Sequence, residues 1–171
     1  METTEISEMA EHAEESGGKV VGLTMAIVAV LLALATMLGH RMHTEEILIQ
    51  TKANDQWAYY QAKNIRSHMY EANAEMAALV GGGTDVAAKF RKESEDQKKS
   101  AEEIQSKARE LEEESAGASR KADRFDMAEI FLEIAIVLCS ITLLTRARIY
   151  WLSSFVSTGL GVVFMAWALL I

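Results

Sequence analysis

The stretch Val20–Leu38, VVGLTMAIVAVLLALATML, decides the fold. It carries no charge and is close to the ~20 residues that cross a ~30 Å hydrocarbon layer as a helix. Two further stretches resemble it, Met127–Thr145 and Ile149–Ile171. Together the three hold only two charged side chains, Glu129 and Glu133, in a chain with 17 Lys+Arg and 25 Asp+Glu. The mean hydropathy of +0.04 therefore averages two opposed parts. A soluble core mixes apolar and charged residues at helical or strand spacing, so this segregation argues against one. The chain has no proline. Long helices have no use for it, whereas strand-edge and loop-rich folds usually do. The expected fold is an all-α membrane protein with three transmembrane helices and a long antiparallel, coiled-coil-like helical hairpin between the first and second.

Outward from Val20–Leu38, residues 1–18 form an acidic tail with six glutamates and no Lys or Arg. A Glu-rich start is the reverse of a signal peptide's positive region, so none is expected. Residues 19–39 are the first span, 40–126 an extramembrane hairpin, 127–145 the second span and 149–171 the third. Tyr150 and Trp151 suit an interfacial aromatic belt. Arg146, Ala147 and Arg148 make the tight turn between the last two spans. Net charge is −8, yet residues 39–126 are nearly balanced, with 17 acidic and 14 basic groups. That leaves no basic footprint for nucleic acid. The one cysteine, Cys139, allows no intrachain disulfide.

The hairpin is read from two apolar stripes. Ala58, Ala62, Ile65, Met69, Ala72, Met76 and Leu79 recur at alternating spacings of four and three. Gly81, Gly82 and Gly83 then make a turn, and Thr84 or Asp85 caps a new helix. Gln97, Ala101, Ile104, Ala108, Leu111, Ser115, Ala118, Ala122 and Phe125 repeat the spacing, a heptad seam. The two stripes are expected to face each other. Acid-first pairs Asp85/Lys89, Glu95/Lys99 and Glu103/Lys107 support a solvated outer face. Each arm of about 40 residues spans roughly 60 Å at 1.5 Å per residue. No breaker separates arm from span, so the first span and first arm read as one helix, and the second arm and second span as another. The first span has a small-residue stripe of its own, Gly22, Ala26, Ala29, Ala33 and Thr36, which leads to His40 and His43.

Residues that could carry chemistry cluster at two junctions. His40, Arg41 and His43 follow the first span; Asp126, Glu129 and Glu133 share one face at the start of the second. A carboxylate inside hydrocarbon is costly and is by default paired or functional. The structural reading pairs Arg41 or a protonated histidine with Glu129. The functional readings are a proton-relaying carboxylate or a metal site using His40 and His43 with Asp126 and Glu129; the remaining reading is that Glu129 simply snorkels to the interface. Histidines at i,i+3 are a weak metal signal. A second candidate is the patch Asp55, Gln56, Trp57, Tyr59, Tyr60 and Lys63, aromatic enough to be a contact surface. Ser153, Ser157 and Gly161 form a small-residue helix-packing face. The sequence offers no phosphate-cradling loop, cysteine cluster, nucleophile elbow or dinucleotide fingerprint. No catalytic residue, cofactor or small-molecule substrate is expected from it. The expected partners are the lipid bilayer and another copy or a membrane protein.

The block Gln50–Lys63, QTKANDQWAYYQAK, and the segment Ala122–Glu129, ADRFDMAE, resemble a bacterial membrane family catalogued as domain of unknown function 4337. The resemblance runs from about Val20 to the C-terminus, and Asp55–Lys63 is its most specific part. It implies a bacterial membrane location, expected here to be the inner membrane, and the layout above, and no activity, substrate or cofactor. Lys19, Arg146 and Arg148 set against the long 40–126 segment favour a cytoplasmic N-terminus with the hairpin outside, because long loops largely escape the positive-inside rule. Two functions are expected from these features: a self-associating scaffold or accessory subunit of a membrane complex, or a proton- or metal-responsive sensor built on His40, His43, Glu129 and Glu133.

Overall fold

A computed structural model describes the backbone of residues 2–80 and 83–170 and the side chains of 17–80 and 83–170. Gly81 and Gly82 of the expected turn, and the side chains of the acidic tail up to residue 16, lie outside them. Three helices make up the described chain: α1 (Glu2–Leu79), α2 (Thr84–Thr145) and α3 (Arg148–Leu170). No strand occurs among the described residues. α1 and α2 each run without a break from apolar span into charged arm, as the absence of proline and of mid-helix breakers dictates. All three are long and apolar enough to cross a membrane. The chain divides into two compact units, Met1–His43 with Ser119–Ile171, and Thr44–Ala118.

In the first unit the core is small. Val28, Ala35, Ala128, Leu132 and Ala135 are buried, with Leu31, Leu32, Ile136, Phe164 and Met165 packed round them. The large aliphatics point outward: Leu23, Ile27, Val30, Leu34, Ile134, Val137, Val156 and Val163 are all exposed. Small residues inside and large apolar ones outside is compatible with helices that cross a membrane, where close backbone approach, not apolar burial, holds helices together. The small stripe on the first span is used only at its ends, Gly22 and Thr36, which are half-buried. Ala26, Ala29 and Ala33 are exposed, and Val21, Val28, Ala35 and Gly39 turn inward. Hydropathy could not choose between them, since every face of that span is apolar.

α2 is closed by Arg146, the residue after its last turn, whose φ of 56° is the left-handed conformation that glycine usually supplies. Its N–H donates to the Thr142 carbonyl at 2.8 Å, and the Tyr150 N–H donates to the Ala147 carbonyl at 3.3 Å to open α3.

In the second unit, α2 buries the seam its sequence announced. Ala101, Ala108 and Ser115 are buried, and Gln97, Ile104 and Leu111 are half-buried. Gln97 Oε1 is buried with no hydrogen-bond partner among the described residues. An amide in a seam fixes register at a cost in stability. On α1 the expected stripe faces outward. Ile65 is 68% exposed, Met69 52%, Met76 58% and Leu79 86%, and Ala58, Ala62 and Ala72 are exposed too. The inward seam lies two residues back: Ile49, Ala53, Gln56, Tyr60, Lys63, Ser67, Tyr70, Ala74 and Ala77, none of them exposed. Polar bonding explains the choice. Ser67 Oγ donates to the Ser94 carbonyl at 3.1 Å, and Ser94 Oγ donates to the Ser67 carbonyl at 3.0 Å. Ser115 Oγ reaches the Glu46 carbonyl at 3.4 Å and Gln50 Oε1 at 3.1 Å. Two serines can approach this closely only because neither has bulk beyond its hydroxyl.

Gly83 follows the turn, and a Cβ there would strike the Ala77 carbonyl oxygen, so no other residue fits. On the outer face Lys107 bonds Glu110 at 2.8 Å, forward along the helix, where the sequence suggested Glu103. That hydrogen bond holds the Lys107 ammonium above its ordinary pKa.

Candidate functional site

The residues singled out at the junctions come together in the first unit, with partners that differ from those expected. His43 Nε2 lies 3.1 Å from Asp126 Oδ2 and 3.2 Å from Oδ1. The two side chains are 42% and 48% exposed, so even a protonated pair contributes only ~0–1 kcal/mol. Gly39, one helical turn earlier, lets α2 approach closely: a Cβ there would sit 3.3 Å from Phe125 Cβ and 3.6 Å from Asp126 Oδ1.

Glu129 is answered by a neutral hydroxyl. Thr36 Oγ1 donates to its Oε1 at 2.9 Å. The expected bond from Arg41 or a histidine is replaced, because Thr36 lies one turn further into the span, level with Glu129. Arg41 and His40 are exposed. Glu133 stands exposed on the outer surface of α2, away from the core made by Leu132 and Ala135. Among the described residues no three His, Cys, Asp or Glu side chains gather as a metal-binding set. Thr36 is the last member of the first span's small-residue stripe.

α3 is fastened by hydroxyls and one cation. Ser157 Oγ donates to the Phe131 carbonyl at 2.6 Å, and Cys139 Sγ donates to Ser154 Oγ at 3.3 Å. The buried face of α3 is Ser154, Ser157, Gly161 and Ala168. Ser153, expected in it, is exposed and bonds back to the Ile149 carbonyl of its own helix. A one-residue offset rotates a helical side chain by about 100°, enough to move it off the contact. Arg124 rests 3.7 Å above the Trp167 ring, a contact worth about 0.5–2 kcal/mol between residues with no shared periodicity. Phe164 stacks between Phe131 and Trp167.

The aromatic block divides in the second unit. Trp57 turns inward, and its Nε1 donates to Glu112 Oε1 at 2.8 Å. Tyr60 meets Trp57 edge to face at 5.5 Å between ring centres, and Gln56 and Lys63 are half-buried beside them. Asp55 and Tyr59 are exposed, with the Lys63 ammonium 5.6 Å from the Tyr59 ring. Four of the six patch residues thus serve the packing of α1 on α2.

One comparison with known proteins bears on this arrangement. The family described as Domain of unknown function (DUF4337) matches residues 18–171. The chain belongs to that family. The match takes in all three apolar helices, the Asp55–Lys63 block and both junctions, so the contacts above lie within family sequence. No curated protein and no solved structure matches the chain.

Proposed function

We propose that this protein is a non-enzymatic, membrane-anchored helical hairpin that self-associates as a scaffold, or serves as an accessory subunit of a membrane complex. The supporting observation is where its reactive-looking groups are used. Asp126, Glu129, Glu112 and Ser67 each bond a side chain of the facing helix. The antiparallel hairpin is supported by the order of contacts: Gln50 meets Ser115, Trp57 meets Glu112, and Ser67 meets Ser94. Partner numbers fall along α2 as they rise along α1, and both helices keep a heptad spacing. Purification in mild detergent should give a discrete oligomer or complex; a monodisperse monomer with an intact hairpin would defeat the reading.

The second reading, a proton- or metal-responsive sensor, is favoured by the His43–Asp126 contact, whose strength depends on the histidine's charge. Glu129→Gln separates the two. It keeps an acceptor for Thr36, so a scaffold assembles nearly as before. A sensor that works through the Glu129 charge loses its pH or metal response. The membrane proposed is the bacterial inner membrane, with a cytoplasmic N-terminus and the hairpin outside. Val80→Cys in a Cys139→Ser background should label with an impermeant maleimide in intact cells, and protection until lysis would reverse the orientation.

A further inference from the structure

In the second unit α1 carries two heptad seams. The inward one packs on α2; the outer one, from Ala58 to Leu79, is exposed along its whole length. They are offset by two residues, about 200° at 3.6 residues per turn, so they lie on opposite faces of one helix. α2 provides the comparison. Two residues beyond its own inward seam stand Lys89, Lys92, Asp96, Lys99, Glu103 and Glu110, a charged, solvated face. The matching face of α1 has no charge and presents Ile65, Met69, Met76 and Leu79 with alanines between them. It is also the more apolar of α1's own two seams, since the inward one contains Gln56, Lys63 and Ser67. A helix apolar on two opposite faces packs between two partners, and α2 is only one of them.

We propose that the second partner is the same stripe of another copy, in a parallel, in-register two-helix seam. This rests on the self-associating, membrane-anchored reading: α1 is one helix from its apolar span to Leu79, so copies inserted the same way run in the same direction. The stripe spans three heptads with a uniform three-four spacing, about the length at which heptad pairing becomes specific. Self-pairing buries no charge, because no seam position carries one. The flanking positions are compatible as well. In a parallel pair each g residue faces the e residue five positions on in the other helix. That sets Gln61 against Arg66, His68 against Asn73 and Glu75 against Val80, with no like charges opposed. Below Ala58 the same spacing reaches Asp55, where two carboxylates would meet, so the seam stops there.

Paired a or d positions bring Cα atoms close enough for a disulfide. In membranes holding the full chain with Cys139→Ser, Ala62→Cys and Met76→Cys should each link to itself under mild oxidation and convert most of the chain to dimer. Lys99→Cys and Glu103→Cys on α2 should stay monomeric. Cross-links only between Ala62→Cys and Met76→Cys in mixed membranes would overturn the parallel order. An intact oligomer with no link at either position would overturn this interface and leave self-association standing. A chain that is monomeric by native electrophoresis of mild-detergent extracts would overturn both. If both cysteines are instead shielded from aqueous maleimide without cross-linking, the occupant is lipid or another protein, and the proposal fails.

Discussion

Gly161→Val is expected to raise the rate of Cys139 alkylation by roughly 5- to 150-fold, the consequence of about 1–3 kcal/mol of overpacking. Cys139 is the chain's one cysteine and is fully buried beside Ser154, so its reaction with a maleimide reports separation of α2 from α3. A Cβ at 161 would lie 2.8 Å from Leu132 Cγ, 3.1 Å from Leu132 Cδ2 and 3.1 Å from the Ala128 carbonyl oxygen. Neither neighbour can give way. The carbonyl is helix backbone, and Leu132 is fully buried at the centre of the core formed by Val28, Ala35, Ala128 and Ala135. Valine and glycine differ by only a few tenths of a kcal/mol in helix propensity, so the clash decides the sign. Leu132→Ala alone should also loosen α3, by about 2 kcal/mol. That is the low end for such a truncation, because in the proposed membrane setting lipid is as apolar as the leucine it replaces and only packing is lost. The double variant tests the geometry. Removing Leu132 Cγ opens the space that the valine needs, so the pair should cost less than the two singles together by about 0.5–3 kcal/mol. Additive costs, or an unchanged rate in Gly161→Val, would show that α3 does not pack through this contact.

What could be read from the sequence depended on how many faces of a helix looked alike. α2 between Thr84 and Ala118 has one uncharged face against a charged background, and its seam, Gln97 through Ser115, is the one buried. α1 has two candidate faces, and hydropathy picks the more apolar. The fold uses the other, because Ser67, Trp57 and Gln50 bond across to α2 while methionines and leucine do not require a neighbour of matched geometry. Along the spans the problem is reversed. All faces are apolar, so periodicity has nothing to separate, and the small-residue stripe from Ala26 to Ala33 was as plausible as the buried Val28 and Ala35. Site residues follow the same rule. Asp126 and Glu129 stand out because charge is rare beside a span, and both bond α1. Thr36 does not stand out, since a threonine in a membrane helix normally bonds its own backbone. Arg124 and Trp167 are 43 positions apart with no shared periodicity, so only the folded chain pairs them.

Ala108→Leu and Ala62→Leu should therefore behave in opposite ways, although the sequence places both alanines in equivalent seams. Ala108 is fully buried at the centre of the inward seam of α2. A leucine there adds three carbon atoms where two helices meet on alanine and serine, forcing them apart at a cost of about 1–3 kcal/mol. The opening also strains the Trp57–Glu112 bond one turn along α2, worth about 0.5–1.5 kcal/mol, which places the expected loss at the upper end of that range. Hydrogen exchange of amides in residues 95–118 should quicken by up to about 150-fold, since exchange from the interior of a packed unit follows its opening free energy. Ala62 is exposed on the outer face of α1. A leucine there meets nothing within the chain, and intrachain exchange should be unchanged within about threefold, the few tenths of a kcal/mol typical of surface substitutions. Its effect belongs to the proposed contact between copies, where it would widen the apolar stripe beside Ile65 and Met69. Equal acceleration by the two variants would mean that Ala62 is buried against α2 after all. Slow exchange in Ala108→Leu would mean that the inward seam is loose enough to absorb a leucine, and that the tryptophan bond does not set the spacing of the two helices.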